Sequence, residues 1–256
     1  MELVIDTIDK SFDSKKILKS GSFTFEKGKI YGLLGRNGAG KTTLFNCISK
    51  NLSVDHGEIY FIDESGQKIQ YDNTEIGLVH ATPHLPGFMT GFEFVKFFID
   101  INKKRLPQAE HPKFYLDKVG IAEDDQHRLL KDYSHGMQNK VQMVVMMMLK
   151  LPVLLLDEPL TSFDVVAAHE MKELIIGLKS ESIIIFSTHI LQLAQDLCDE
   201  IVLLHHGRLR GIPAADIHSQ SFEGEVVSLL SASEELEEVT LEEELRSEVG
   251  VGNEDN

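Results

Sequence analysis

A glycine-rich segment in the first part of the chain has the residue types and spacing of a phosphate-binding loop. Its sequence is Gly35-Arg36-Asn37-Gly38-Ala39-Gly40-Lys41-Thr42. Because glycine has no Cβ, backbone N–H groups can converge on phosphate oxygens, and a following helix adds its positive end. We expect Lys41 to reach the β- and γ-phosphates of a nucleotide and Thr42 to bind Mg²⁺. The remaining contacts of the loop are expected from Gly35, Asn37, Gly38, Ala39, Gly40 and Thr43.

Two adjacent carboxylates, Asp157 and Glu158, follow the apolar run 153–156. A buried strand would deliver both to the carboxyl edge of a sheet, where α/β proteins bind their ligands. We expect Asp157 to hold Mg²⁺ through water and Glu158 to act as a general base or to position the attacking water. Together with the loop, this pair predicts hydrolysis of a nucleoside triphosphate.

The apolar pattern predicts the elements that position these residues. The strands predicted in the first part of the chain are 2–9, 22–26, 29–34, 57–62, 68–71 and 76–79. A helix over about 40–50 follows the glycine-rich loop. This strand–loop–helix order is the context that a phosphate-binding loop requires.

From about residue 82 the pattern becomes helical and then returns to alternating elements. Helices are predicted at 112–119 and 136–149, and a third carries Phe94, Phe97, Phe98 and Ile101 on one face. The elements predicted after Pro152 are strands 153–156 and 182–187, helices 165–179 and 190–197, and the hairpin 200–211. The order predicts an α/β fold, a mixed sheet with flanking helices, with an antiparallel β part and a helical subdomain inserted at about 82–150.

The bulk composition limits the partners and the compartment. The net charge of −16 argues against nucleic acid, and much of it lies in 222–256, where twelve acidic residues face one basic residue. We predict one domain over 1–220 and an acidic C-terminal tail over 221–256, which either forms an amphipathic helix on Leu236, Val239 and Leu241 or stays partly disordered. Apolar runs fall short of the ~18 residues of a membrane span, and Cys47 and Cys198 are expected to be reduced, as in the cytosol.

The order of five motifs resembles the ATP-binding cassette (ABC) ATPases over about residues 3–245. After the phosphate-binding loop and the helical insert come Tyr133-Ser134-His135-Gly136-Met137, Asp157-Glu158-Pro159, Thr161-Ser162-Phe163-Asp164 and Ser187-Thr188-His189. The resemblance implies a P-loop ABC ATPase core with ATP and Mg²⁺, and two ATP molecules sandwiched between two subunits. The implied partners are a second ATPase copy, identical or paralogous, and a transmembrane permease that holds the chain at the cytoplasmic face of the membrane.

The resemblance also implies roles for single residues. Phe12 would stack on adenine, although a place in the core is the alternative. Ser134 and Gly136 would cap the nucleotide held by the opposite subunit, and Asp164 would communicate between the two sites. His189 would contact the γ-phosphate and take part in catalysis with Glu158, although a lone histidine is most often structural.

The chain departs from the family pattern in two places. The segment 76–83 aligns with the family's Q-loop, where Ala81 replaces the glutamine that touches Mg²⁺ and the attacking water. Because a methyl group cannot orient water, we expect slower hydrolysis or looser coupling than usual, the alternative being that His80 or Thr82 takes the place of the glutamine. In the signature motif, Tyr133, His135 and Met137 replace leucine, glycine and glutamine, which is more similar to bacterial exporters than to importers.

Two questions stay open at the level of the sequence. The aromatic helix around Phe97 is either the core of the helical subdomain or part of a groove for a cytoplasmic helix of the permease. The predicted function is the ATPase subunit of an exporter. The alternatives are an ABC ATPase without a transport role and a weakly hydrolysing regulatory or immunity ATPase, which Ala81 would favour.

Overall fold

The computed structural model describes residues 1–160, 165–212, 217, 219 and 222–231 of the 256. Four strands form an antiparallel sheet in the order β2-β1-β4-β5. They are β1 (Glu2–Phe12), β2 (Lys15–Glu26), β4 (His56–Ile62) and β5 (Lys68–Ile69). This sheet is the predicted antiparallel β part.

The hairpin of β1 and β2 is longer than the apolar pattern predicted, and its pairing reaches Phe12 opposite Lys15. A residue far along the chain supports the added length. The Asp55 carboxylate accepts a hydrogen bond from the Ser11 N–H (2.6 Å) and forms an ion pair with Lys10 (2.9 Å). The extension therefore depends on a tertiary contact that local alternation does not reveal.

The second sheet has six strands in the order β10-β9-β3-β8-β7-β6. They are β3 (Ile30–Leu34), β6 (Ile76–Val79), β7 (Val153–Asp157), β8 (Ile183–Thr188), β9 (Glu200–His205) and β10 (Arg208–Ile212). All neighbours are parallel except β9 and β10. Strands β3, β7 and β8 are buried along their whole length, as a sheet covered on both faces requires.

Eight α-helices lie in the described part of the chain. They are α1 (Lys41–Ile48), α2 (Gly91–Ile101), α3 (Pro112–Lys118), α4 (Glu123–Gln126), α5 (His135–Leu149), α6 (Val165–Leu178), α7 (Leu191–Leu197) and α8 (Phe222–Ser231). Helices α2 to α5 occupy the predicted helical insert. Over the described residues, none of the helices combines the length and the apolar character needed to cross a membrane.

The signature helix α5 packs directly on the edge strand β6 because Gly77 has no side chain. A Cβ at position 77 would lie 2.7 Å from Leu154 Cδ2, 3.1 Å from Leu151 Cδ1 and 3.2 Å from Met146 Sδ. Met143 and Met148 of the same helix are buried, so the methionine-rich helix fills the core.

The helix α2 buries a different side chain from the face that the sequence suggested. Val95 is fully buried, whereas Phe97 is 49% exposed and Ile101 is 61% exposed. Phe94 and Phe98 are half-buried against the subdomain core. The interpretation of the whole aromatic face as core is therefore wrong for Phe97 and Ile101.

Helix α8 lies beyond the predicted boundary at residue 220. It packs Phe222 and Val226 against Leu34, Ile201 and Leu203 of the six-stranded sheet. The division of the chain at that point stays a prediction. The amphipathic helix predicted on Leu236, Val239 and Leu241 falls outside the described residues.

Candidate nucleotide-binding site

The glycine-rich loop connects the end of β3 to the start of α1, as predicted. Gly38 and Gly40 have φ angles of 82° and 109°, in the region that only glycine occupies without strain. Backbone atoms also crowd Gly35, where a Cβ would lie 2.7 Å from the carbonyl oxygen of Leu204. The loop therefore needs glycine at these positions for backbone reasons as well as for phosphate.

Lys41 begins α1 and is buried with its ammonium group over the loop. Its Nζ donates to the Gly35 carbonyl at 2.8 Å. Burial lowers the pKa of Lys41 below its ordinary value of 10.5, while the charges of Glu158 and Asp157 act in the opposite direction. A phosphate bound here would favour the charged lysine and replace the carbonyl as its partner.

Asp157 ends β7 and Glu158 follows it, and a serine of the neighbouring strand β8 contacts the Asp157 carboxylate and the Glu158 backbone. Ser187 is fully buried, and its hydroxyl donates to Asp157 Oδ1 at 2.6 Å. The Ser187 hydroxyl oxygen also accepts the backbone N–H of Glu158 at 3.1 Å. The other Asp157 oxygen accepts the Thr42 hydroxyl at 3.1 Å, which joins the strand edge to the loop. The sequence named Ser187 within a motif but gave it no role.

Glu158 and His189, the two predicted catalytic residues, are in contact. Glu158 has a positive φ of 49° directly after β7. His189 Nδ1 lies 3.0 Å from the Glu158 carboxylate. Because a carboxylate only accepts, Nδ1 carries the hydrogen of this contact. The histidine therefore orients the carboxylate.

Lys41, Thr42 and the two carboxylates line one open cleft of about 380 Å³, whereas His189 lines a neighbouring pocket. Phe12, 44% exposed, and Ile17 supply an apolar part, and the carboxylates lie among the other lining residues. The full lining is Phe12, Ile17, Asn37, Gly38, Gly40, Lys41, Thr42, Thr43, Ala81, Asp157 and Glu158. Ile17 was not predicted, whereas Ala81 lies at the cleft as the Q-loop alignment implies.

Other predicted site residues lie away from this cleft. Ser134 caps α5 by accepting the Met137 N–H at 3.2 Å, and neither Ser134 nor Gly136 lines the cleft of its own chain. Gly35 and Ala39 also do not line it; the Ala39 N–H donates to Arg36 within the loop at 3.0 Å. Asp164 falls outside the described residues.

The geometry defines a class of protein. A buried strand leads into a glycine-rich loop and a helix that begins with lysine and threonine. The parallel strand β7, separated from β3 by β8, brings in a carboxylate pair. This arrangement at the carboxyl edge of a sheet is that of the P-loop nucleotide hydrolases.

Comparison with known proteins narrows the class to a family. The sequence model of the ABC transporter family matches residues 18–161, and the chain belongs to this family as an ATP-binding domain. An uncharacterized ABC transporter ATP-binding protein of Methanocaldococcus jannaschii is 32% identical over 209 residues, covering 81% of this chain and 75% of the relative. ATP is therefore the nucleotide that the family binds, and ATP hydrolysis is the activity that the family implies.

Two further relatives carry names that refer to transport. A lantibiotic transport ATP-binding protein of Streptococcus pyogenes is 28% identical over 211 residues, which cover 81% of this chain and 88% of the relative. A fluoroquinolones export ATP-binding protein of Mycobacterium tuberculosis is 33% identical over 189 residues, which cover 73% of this chain and 62% of the relative.

Solved structures confirm the predicted fold class. The ATP-binding subunit of an ABC transporter aligns with a TM-score of 0.70 at 24% identity, over 94% of this chain and 99% of the other. A dimeric ATP-binding cassette in a post-hydrolysis state with ADP and Pi aligns with a TM-score of 0.69 at 20% identity, over 83% of this chain and 98% of the other. At these identities the likeness concerns the fold.

Proposed function

We propose that this chain is the ATPase subunit of a two-part exporter and drives a separate membrane permease by ATP-dependent dimerisation. The observation that carries the proposal is the convergence of Lys41, the Thr42–Asp157 pair and Glu158 on one cleft, with His189 in contact with Glu158. Such a set of groups can bind a triphosphate and hydrolyse it.

The cleft suits ATP and a magnesium ion. Phe12 and Ile17 offer an apolar seat for adenine, and the loop offers N–H groups and Lys41 to the phosphates. The Thr42 hydroxyl and the Asp157 carboxylate, 3.1 Å apart, are oxygen ligands of the kind that Mg²⁺ prefers. When bound there, Mg²⁺ would neutralise charge on the β- and γ-phosphates.

Each part of the hydrolysis step can be given to a residue of the cleft or to a residue in contact with it. A water oxygen attacks the γ-phosphorus, and its proton passes to the Glu158 carboxylate. The bond between the γ-phosphorus and the bridging oxygen breaks, and ADP leaves with the electron pair. His189 keeps Glu158 in position, and Lys41 stabilises the charge that develops on the phosphoryl oxygens.

The position of the signature motif supports dimerisation. Ser134 and Gly136 stand at the exposed N-terminal end of α5, outside the cleft of their own chain. A second copy, identical or paralogous, would bring this helix end against the γ-phosphate, where its dipole favours negative charge. Closing and opening of the pair would then follow ATP binding and hydrolysis.

The helical subdomain offers a docking surface for a permease. Phe97 and Ile101 are exposed on α2. A separate groove of about 360 Å³ has an apolar floor that includes Phe114, Met147 and Leu174. A short apolar helix of a membrane chain would cover such surfaces, which would hold this chain at the cytoplasmic face of the membrane. The relative named for fluoroquinolones export supports export as the direction, and the one named for lantibiotic transport supports transport.

One observation favours a second candidate, a regulatory ATPase that hydrolyses weakly. Ala81 lies in the wall of the cleft and contributes a methyl group where the family has a glutamine. Glu158 and His189 favour the hydrolysing subunit over this alternative. The rate of turnover at saturating ATP distinguishes the two.

The test is phosphate release by purified protein, together with binding of a fluorescent ATP analogue. We expect Lys41→Ala to lose binding and Glu158→Gln to keep binding while turnover falls by about 10²–10⁴-fold. Lys172→Ala and Glu181→Gln, which change surface ion pairs away from the cleft, are the matched controls. Unaltered binding and turnover in Lys41→Ala would refute the proposal, and co-purification of a membrane chain tests the transport role.

A further inference from the structure

Helix α5 carries a buried glutamine with an incomplete set of hydrogen bonds. Gln142 is 7% exposed, and its Oε1 is the buried side-chain atom that lacks a hydrogen-bond partner within the described residues. An unmade hydrogen bond at a buried amide is costly, so such a group calls for an explanation. An apolar side chain would fit among the valines and methionines of this helix without that cost.

The other end of the same amide reaches the loop of the nucleotide cleft. Gln142 Nε2 donates to the carbonyl oxygen of His80 at 3.4 Å, a long contact. His80 is the first residue after β6, and the next residue, Ala81, lines the cleft. Gln142 therefore links the helix to the cleft wall across two elements that are 62 residues apart.

The rest of α5 is held firmly against the core. Met146 packs over Gly77 of β6, and Lys140 forms an ion pair with Glu170 of α6 at 2.6 Å. The N-terminal end of the helix carries Ser134. A shift of the loop at residues 80–82 would therefore move Gln142, and helix α5 would carry this movement to Ser134 at its N-terminal end.

We propose that Gln142 is a positioning residue that couples the loop at 80–82 to helix α5, and that its free Oε1 accepts a hydrogen bond from this loop when ATP fills the cleft. The donors that the loop carries include the N–H groups of Ala81 and Thr82, the Thr82 hydroxyl and the His80 imidazole. ATP would thus favour a second loop position in which both ends of the amide are bonded. This inference rests on the proposed ATPase function.

The test replaces Gln142 by methionine, which keeps an unbranched chain of similar length and removes both hydrogen-bonding ends. We expect kcat to fall about five-fold, the value of one net hydrogen bond, with ATP affinity within about two-fold and a Tm that is unchanged or higher. Gln138→Met is the matched control, because Gln138 lies on the same helix and donates to Leu130 at 3.0 Å within the subdomain.

Hydrogen–deuterium exchange measures the coupling itself. In the parent protein, ATP should slow exchange at residues 80–84 and also in the first turn of α5. In Gln142→Met, ATP should slow exchange only at 80–84. Parental kcat together with parental exchange in the variant would overturn the inference, and so would an equal loss of kcat in Gln138→Met.

A failure of the proposed ATPase function would give a different experimental result from a failure of the Gln142 proposal. Absence of ATP binding by the parent protein would refute that function. If the parent binds ATP but turnover is too slow to follow, the exchange experiment still decides whether Gln142 transmits the signal.

Discussion

Removal of the Ser187 hydroxyl tests whether one buried serine fixes both the Asp157 carboxylate and the backbone of Glu158. In the structure, this hydroxyl donates to Asp157 at 2.6 Å and accepts the N–H of Glu158 at 3.1 Å. The side chain is fully buried at the carboxyl end of β8. The Ser187→Ala variant removes both contacts and leaves the fold of the strand unchanged.

The expected cost follows from the two contacts. A hydrogen bond from a hydroxyl to a carboxylate stabilises the fold by about 1.5–3 kcal/mol, and a buried N–H without an acceptor costs about 1–3 kcal/mol. Because one oxygen makes both contacts, the two values do not add fully. We expect the free energy of unfolding to fall by about 2–4 kcal/mol.

We expect the rate of ATP hydrolysis to fall by more than the loss of stability alone would cause. Glu158 would lose the contact that fixes its backbone at a positive φ, and a displacement of about 1 Å at a reacting group can reduce the rate about 10²-fold. We expect kcat for phosphate release to fall about ten- to hundred-fold under conditions where the variant is folded. Urea denaturation gives the stability, and steady-state kinetics gives kcat.

The matched control is Ser182→Ala at the opposite end of the same strand. Ser182 is also buried, and its hydroxyl donates to the Leu151 carbonyl at 2.6 Å, away from the cleft. This variant should lose about 1 kcal/mol with an unchanged kcat. Equal effects of the two substitutions on both quantities, or a kcat of Ser187→Ala within about two-fold of the parent, would show that Ser187 has no special role.

Three further outcomes follow from the cleft and the packing around it. Ala81→Gln should raise kcat several-fold because an amide can orient the attacking water, and an unchanged turnover would contradict this assignment. Gly77→Ala should lower the free energy of unfolding in urea by about 1–3 kcal/mol because its Cβ would press on Leu154 and Met146; equal stability would refute the packing argument. ATP binding should take up protons in the alkaline range below 10.5, because phosphate restores the charge of Lys41 that burial disfavours. Calorimetry in two buffers measures this uptake, and its absence in the parent protein would contradict the assignment. Without nucleotide, stability in urea should rise with pH in the same range, since the unfolded chain holds that proton more tightly, and this rise should be absent in Lys41→Met.

The fold was predictable because its strongest signals are local. The glycine-rich loop, the apolar strands at 29–34, 153–156 and 182–187 and the helical pattern after residue 82 need no knowledge of distant contacts. The full length of β1 and β2 was not predictable, because Asp55 supports the end of the hairpin from outside it. Periodicity left the aromatic face of α2 open between core and groove, and it did not indicate that Val95 is buried while Phe97 is exposed.

The site residues also fall into those that local sequence predicts and those that depend on distant contacts. Lys41, Thr42, Asp157 and Glu158 belong to contiguous motifs whose chemistry can be read from residue types. Ser187 and Gln142 act through contacts that span about thirty or more residues, and neither has a local signature. Ile17 enters the cleft only because β2 begins earlier than its alternation indicates.

The unusual signature motif can now be separated into an inward and an outward part. Tyr133 is buried, its hydroxyl donates to the Asp125 carbonyl at 2.6 Å, and burial raises its pKa to about 12. A side chain at Gly91 would collide with that hydroxyl, so the tyrosine and the glycine at the start of α2 require each other. Met137 packs against the same subdomain core.

Tyr133 and Met137 therefore serve the packing of the helical subdomain, and their departure from the family pattern leaves the outer surface of the motif unaltered. Ser134 and His135, in contrast, are exposed at the end of α5. Among the replaced residues of the motif, His135 is thus the one that a nucleotide held by a second subunit would meet. Because imidazole can donate a hydrogen bond that glycine cannot, this position would add to the phosphate contacts of Ser134 and leave them in place.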